Sequence, residues 1–471
     1  MKKLITYKGE WFVPENDQKK VTGILSFSAN DRSELELMGR LTEKKDAYGD
    51  EPITIILGFT TDGKLITLFR SYYVSSSITS SIHSPGVETI KYTTILVLVG
   101  DHFYNEEELV FHKVGAGFKN FEQWASKSGF NGLEHEKESR KYSLNCELPQ
   151  VINFDIGNGS VGKMSFSLRT NSSVYNIDLK QNARIDIESA NPKPLTDLLD
   201  DLILFQKFLT LGTFEPTAAY EIIVRNNDRK DTFLNRDLIR DINILYEQEL
   251  DAPLIKDKMR AQLLFNYQDI ENNFETIIQK WYAVSNRLEP ITSLLIDNFY
   301  SRLFAFNENK FLNIVQALET FHRRFRKNEV LPKGEHKKKV QAIVGSVEEE
   351  YKNWLQERLN FSNEPTLYDR LSDLFDETSC GTINNLIKDK EKFLKDTRNN
   401  RNYYTHYDEK IKKKALEIND LFLLTEKLKV ILIAIVLIEI GISKDQISQL
   451  LERNEFNFFN HILRNDAVKI D

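Results

Sequence analysis

The sequence predicts an α+β protein: an N-terminal antiparallel β-sandwich, then an all-α region ending in a helical bundle. Three observations carry that expectation. Up to about residue 190 the chain breaks into short apolar runs divided by turn residues, as where Thr61-Asp62-Gly63 separates Ile53–Phe59 from Lys64–Phe69. Beyond Asn191-Pro192-Lys193-Pro194 the apolar spacing becomes helical. The run Val430–Ile438 is apolar on every side, as a helix buried all round must be.

Taken in order, Val21 to Phe27 and the alternating Leu35 and Leu37 open the strand series. Tyr92 to Val99, Glu108 to His112, Val151 to Phe154, Lys163 to Leu168 and Val174 to Leu179 continue it, with Gly157-Asn158-Gly159 as a turn. One helix interrupts the strands, at Asn120 to Lys127, where Phe121 and Trp124 recur at i, i+3; it reads as a plug for one end of the sandwich rather than a ligand clamp. Asn191 to Pro194 read as a linker. Helices are then expected at Leu195 to Leu211, Asn235 to Glu249, Lys256 to Val284 and Pro290 to Phe306. The bundle is expected from Lys310 to Lys327, Lys337 to Leu359, Leu367 to Phe375, Ile383 to Arg401 and Lys412 to Ile440, with Ile447, Leu450, Leu451, Phe456, Phe458 and Phe459 as an apolar cap. The expected domains are 1–190, a helical connecting region 191–288, and the bundle 289–471.

Composition narrows the function. With 471 residues, 41% of them hydrophobic, the chain can bury real cores. A net charge of −7 and a pI near 5.8 exclude a generic polyanion binder, so any nucleic-acid affinity must be local. Cys146 and Cys380 have no partners at metal-ligand spacing, which argues for a reducing cytoplasm and against a disulfide framework or zinc site. After Lys2 and Lys3, Tyr7, Lys8, Glu10 and Trp11 leave no apolar stretch of signal-peptide length. Val430–Ile438 falls well short of the ~20 residues of a membrane span. The eight histidines never pair at i, i+3 or i, i+4, and neither a phosphate-binding Gly-x4-Gly-Lys loop nor a Gly-x-Ser-x-Gly elbow occurs.

The chemistry concentrates in Arg401-Asn402-Tyr403-Tyr404-Thr405-His406. At about 100° per residue, Asn402 and His406 share one helix face, while Arg401 lies about 140° round from His406 and reaches back with its long side chain. An imidazole can exchange a proton with a ribose 2′-hydroxyl or a leaving 5′-oxygen near neutral pH, and a guanidinium forks onto phosphate oxygens. One copy supplies one imidazole, so a full acid/base pair calls for a second copy related by a two-fold axis.

Arg, a polar residue, three variable residues and His is the signature of HEPN ribonucleases. Together with the upstream helix Phe311 to Arg324, Asp396-Thr397 before the motif, and the β-rich first half, it resembles the Apea-like anti-phage HEPN proteins across nearly the whole chain. The resemblance implies an abortive-infection endoribonuclease that cleaves cellular RNA, tRNA foremost, without metal or other cofactor. It implies catalytic roles for Arg401, Asn402 and His406, a homodimer with a composite cleft, and a phage-derived trigger read by the N-terminal domain. Arg398, one turn before the motif, is expected to help bind phosphate.

Around the motif, Glu319 and Arg323 (i, i+4) on the Phe311 helix are candidates to orient Arg401 or His406, whereas His322 beside them reads as structural. Basic runs at His322–Lys327, at Lys333–Lys339 and at Lys410–Lys414, the last including Lys412 and Lys413, are candidate phosphate contacts; Tyr403, Tyr404 and Tyr407 are candidate base-stacking rings. Two other readings stand beside the nuclease. One is a non-catalytic dimeric scaffold with a ligand-recognising sandwich; the other is a glycan-binding β module with helical ornament.

Overall fold

The structure is a computed structural model describing residues 4–29, 31–42, 51–81, 84–136, 139–233, 236–248, 252, 255–300 and 307–453. The α+β class, with strands first and helices after, is as the sequence predicts. The chain divides into two compact units, 1–275 and 276–471, and each is described by itself.

In the first unit, β1 (Ile5–Phe12), β2 (Val21–Phe27), β3 (Ser33–Met38), β4 (Ile53–Thr60), β5 (Leu65–Ser81) and β6 (Ser84–Val99) pair antiparallel in a closed ring, β1-β2-β3-β6-β5-β4 and back to β1. The long β6 closes it, meeting β5 along one edge (Ile66↔Val99) and β3 along the other (Leu35↔Tyr92). Closure leaves these strands few free edges to template aggregation. β2 shows the period-two logic: Val21, Gly23, Leu25 and Phe27 are buried while Thr22 and Ile24 face out. Trp11 fills the interior with Leu25, Leu35, Leu37, Ile56, Leu68 and Val97. Gly58 makes room for it, since a Cβ there would lie 2.5 Å from the indole.

The sheet does not stop at the ring. Next in the chain come β7 (Val110–Phe118), α1 (Phe121–Ala125), the hairpin of β8 (Phe130–Glu136) with β9 (Lys141–Cys146), β10 (Ile152–Asp155), β11 (Ser160–Ser172), β12 (Ile177–Pro194) and α2 (Leu195–Thr213). β13 (Ala219–Arg225), the hairpin of β14 (Lys230–Phe233) with β15 (Arg236–Ile239), and β16 (Ile242–Tyr246) follow. β16 takes the end of β6 that β3 leaves free, and the order continues β16-β13-β7-β12-β11-β10. Among the described residues, a barrel running into an open antiparallel sheet thus stands where a two-sheet sandwich was expected. Phe121 and Trp124 of α1 are fully buried among Phe205, Phe208, Phe265 and Phe274, so this helix is a core plug.

Several expectations need correction. Asn191–Pro194 is no linker: it ends β12, where Lys193 and Pro194 pair with Phe111 and Val110 beyond a bulge, and α2 starts at once. Asn235–Glu249 is no helix; its described residues hold β15 and β16. Of the two helices expected over Lys256–Val284 and Pro290–Phe306, the first begins as short turns and α3 (Tyr267–Ile270). It runs on as one helix, α4 (Phe274–Tyr300), which carries Pro290 inside it, and Ser301 to Phe306 lie outside the described residues.

The second unit continues with α5 (Glu308–Phe325), α6 (Lys333–Gly345), α7 (Glu349–Leu359), α8 (Leu367–Thr378), α9 (Gly381–Leu386), α10 (Lys390–His406), α11 (Glu409–Lys412), α12 (Ile418–Glu439) and α13 (Lys444–Leu451). The single helices expected at Lys337–Leu359 and Ile383–Arg401 are each split in two. α5, α8, α10 and α12 pack on one another, and Val430–Leu437 of α12 is buried throughout. Ile447, Leu450 and Leu451 are buried in α13, whereas Phe456, Phe458 and Phe459 lie outside the described residues. No described helix is long and apolar enough to cross a membrane.

Candidate active site

The motif occupies the last two turns of α10. Asp389 starts this helix by accepting the Lys392 N–H (2.9 Å), and Tyr407 ends it in the left-handed region (φ 49°). Its buried face is Phe393, Leu394, Thr397 and Asn400, the i, i+4, i+7 stripe that rests on α5, α8 and α12. Packing this stripe leaves the positions just past it for chemistry. Arg401 and Asn402 are half-buried, while His406 is exposed and makes no hydrogen bond with any described side chain. Arg398, one turn earlier, is exposed too.

Arg401 is gripped from behind. Its Nη2 lies 3.8 Å from Glu319 Oε2 on α5, too long for a hydrogen bond, so the guanidinium is steered while its donors stay available. Glu319 also accepts from Arg323 (3.3 Å), and Arg323 donates to Glu364 (2.7 Å). Glu364 in turn accepts from Arg370 of α8 (3.1 Å), whose other nitrogen meets His322 Nδ1 (3.2 Å); His322 Nε2 meets Asp373 (3.1 Å). The result is one continuous polar path, Arg401-Glu319-Arg323-Glu364-Arg370-His322-Asp373, across α10, α5 and α8. Arg370 and His322 are each 1% exposed. Burial pushes His322 below the usual histidine range, Asp373 opposing this and Arg370 adding to it. Burial likewise lowers Arg370, helped by the neighbouring Arg323.

Sequence reasoning named Glu319 and Arg323 but missed Glu364, Arg370 and Asp373. The available signal was an arginine set in the apolar stripe of α8 beside Leu371, Leu374 and Phe375, where an unpaired cation would be prohibitive. It missed Asn400 as well. The Asn400 side chain donates to Asp396 O (2.8 Å) and accepts the Leu416 N–H (2.8 Å), so the chain after the motif is tied back to α10. Tyr404 joins that tie through Leu416 O (3.4 Å) and packs edge-on to Phe311, and burial raises its phenol. Tyr403 and Tyr407 stand edge-on to one another at 5.6 Å, with Tyr407 61% exposed. Between Tyr407 and Leu416 the loop carries Lys410, Lys412, Lys413 and Lys414, all exposed.

The surface around His406 thus offers an imidazole, a steered guanidinium, two accessible rings and a lysine-rich loop. That is chemistry suited to a phosphodiester flanked by an unpaired base. Among the described residues, no His, Cys, Asp and Glu side chains cluster as a metal site would need. The first unit holds a separate half-open groove of about 680 Å³ lined by Tyr72, Val74, Ile95, Leu199, Ile203 and Tyr246, with Asp200 at its rim.

Residues 6–281 match the family described as ApeA N-terminal domain 1, and residues 312–446 match the Apea-like HEPN family. No curated protein and no solved structure matches the chain.

Proposed function

The chain belongs to the ApeA family of anti-phage HEPN nucleases, and from that premise we propose that it is a metal-independent endoribonuclease whose active centre is Arg401, Asn402 and His406. HEPN domains are generally ribonucleases that bind RNA and dimerise. In the proposed reaction the ribose 2′-oxygen attacks phosphorus as its proton passes to an imidazole. The bond from phosphorus to O5′ breaks, and a second imidazole protonates O5′, leaving a 2′,3′-cyclic phosphate and a 5′-hydroxyl. His406 of each protomer in a homodimer supplies one of the two. Arg401 stabilises the charge on the phosphorane-like oxygens, and Asn402 orients phosphate or imidazole. Arg398, Lys412 and Lys413 hold flanking phosphates, and Tyr403, Tyr404 or Tyr407 stacks a base.

The observation that carries this reading is the placement of Arg401 and His406 within the last two turns of α10, His406 open to solvent and Arg401 braced by Glu319. We take cellular tRNA in the cytoplasm as the substrate, and a phage-derived trigger at the N-terminal unit as the signal. The test is cleavage of total bacterial RNA and purified tRNA in EDTA, alone and with infected-cell lysate, beside His406→Ala and Arg401→Ala. Wild-type-only cleavage with cyclic-phosphate ends is expected. Cleavage by His406→Ala at the wild-type rate, or an absolute need for metal, overturns the mechanism.

A further inference from the structure

We propose that the hairpin of α6 and α7 is an arm that docks, about a two-fold axis, on the same arm of a second copy of this chain. Neither helix contains a buried residue, and each packs chiefly on the other. The arm leaves Ile343, Tyr351, Trp354 and Phe361 exposed by 38%, 52%, 57% and 75%. A bare helix pair without a core is marginal in water, and an apolar patch of this kind on a soluble protein marks a contact surface.

Charge identifies the occupant. α6 carries Lys333, Lys337, Lys338 and Lys339 against one Glu335, and α7 is approached by Glu348, Glu349 and Glu350. The arm's ion pairs are local, Lys333 with Glu329 and Lys352 with Glu349. Lys337, Lys338, Lys339, Glu348 and Glu350 have no ionic partner among the described residues: the glutamates sit at the tip of the hairpin and the lysines nearer its base, where His336 meets Ser362, so the two groups are held apart on one arm. Opposite charges on one hairpin that do not meet each other are set to meet another molecule. A two-fold axis brings the lysines of each arm to the glutamates of the other, twice over, and covers the aromatic residues between them. RNA fits less well, because three consecutive glutamates beside Tyr351 and Trp354 repel phosphates.

The arm is also presented stiffly. Asn363 brackets its base, accepting from Val330 N–H (2.8 Å) at its backbone and from Leu331 N–H (2.9 Å) at its side chain, and donating to Leu331 O (2.9 Å). His336 meets Ser362 Oγ at 2.9 Å. A preformed arm loses little freedom on docking. The inference stands whether or not the chain cuts RNA.

The test uses the full chain in sedimentation velocity over a concentration series, together with acrylamide quenching of tryptophan. Trp11, Trp124 and Trp281 are buried, so quenching reports Trp354. Self-association is expected, with Trp354 shielded as it proceeds. Two triple variants, one Lys337→Glu, Lys338→Glu, Lys339→Glu and the other Glu348→Lys, Glu349→Lys, Glu350→Lys, should each weaken association at least about tenfold and restore quenching. An equimolar mixture of the two should recover both signals, because the reversed charges match only across chains. Wild-type chains that stay monomeric, quenching that ignores association, or a mixture that fails to recover overturns the proposal. So does loss of RNA affinity in the lysine variant with association intact, which would make the arm an RNA contact.

Discussion

Replacing Arg370 tests whether the polar path behind Arg401 is a structural necessity. The side chain is 1% exposed and joins His322 Nδ1 (3.2 Å) to Glu364 (3.1 Å). Arg370→Ala removes a packed side chain and leaves His322 Nδ1 without its partner, each a loss of about 1–3 kcal/mol. Glu364 suffers less, because it keeps Arg323 at 2.7 Å and its side chain is 28% exposed, so its share is discounted for solvent. The sum is about 3 kcal/mol, at the lower end of what breaking a buried ion pair costs. For a unit of this size that lowers the midpoint of thermal unfolding by about 6–12 °C. Urea and thermal denaturation of the full chain, followed by near-UV circular dichroism, provide the measurement. Arg370→Met, which keeps much of the volume, should fall between the two. A loss below about 1 kcal/mol for the alanine variant refutes the reasoning, since the path would then be ornamental.

Three further outcomes follow from the same geometry. Glu319→Gln should alter stability by less than about 1 kcal/mol, because Arg401 is partly exposed at 3.8 Å, yet slow single-turnover RNA cleavage by up to about tenfold; equal rates would remove Glu319 from the positioning of Arg401. His322 titrates below its ordinary value of 6.5 when folded, so the unfolded chain binds the extra proton first; stability is complete above about pH 6.5 and drains as pH falls through the folded value. His322→Gln should flatten that acid limb in urea titrations at several pH values, and an unchanged slope would contradict the assignment. In the first unit, a Cβ at Gly212 would lie 2.4 Å from Trp124 Nε1, so Gly212→Ala should destabilise by about 1–3 kcal/mol of overpacking, read in the same denaturation curves; wild-type stability would show that Trp124 has room to move.

Much of this architecture was legible wherever a local rule sufficed. Thr61-Asp62-Gly63 announced the β4–β5 hairpin because Gly63 has to adopt φ 77°, and Val430–Ile438 announced a buried helix because no face of it could meet water. Barrel closure was not legible, since it depends on β6 meeting three different strands, a long-range choice that strand alternation does not record. Leu238, Ile239, Ile242 and Leu245 fit a helical stripe as well as strands; pairing with β14 holds the first two in β15, and the sheet edge offered by β6 holds β16. Pro192 and Pro194 imitated a linker because a strand end tolerates the missing N–H as readily as a loop does. At the site, spacing put Glu319 and Arg323 on one face and Arg401 with His406 within about one and a half turns. The links through Glu364 and Arg370 connect residues 41 and 48 positions apart, and no local pattern joins them.

The tie between Asn400 and Leu416 has an evolutionary consequence. Because the chain leaves α10 at Tyr407 and is fastened to it again at Leu416, the lysine-bearing stretch between hangs from a closed neck. Loop-closure entropy grows slowly, about 0.6 kcal/mol for each doubling of length. Insertions, deletions and charge changes inside the neck therefore leave the helix that carries Arg401 and His406 undisturbed. Drift among descendants of this chain should accumulate there first, making the loop a place where a lineage can revise what it holds without rebuilding the turn beside it.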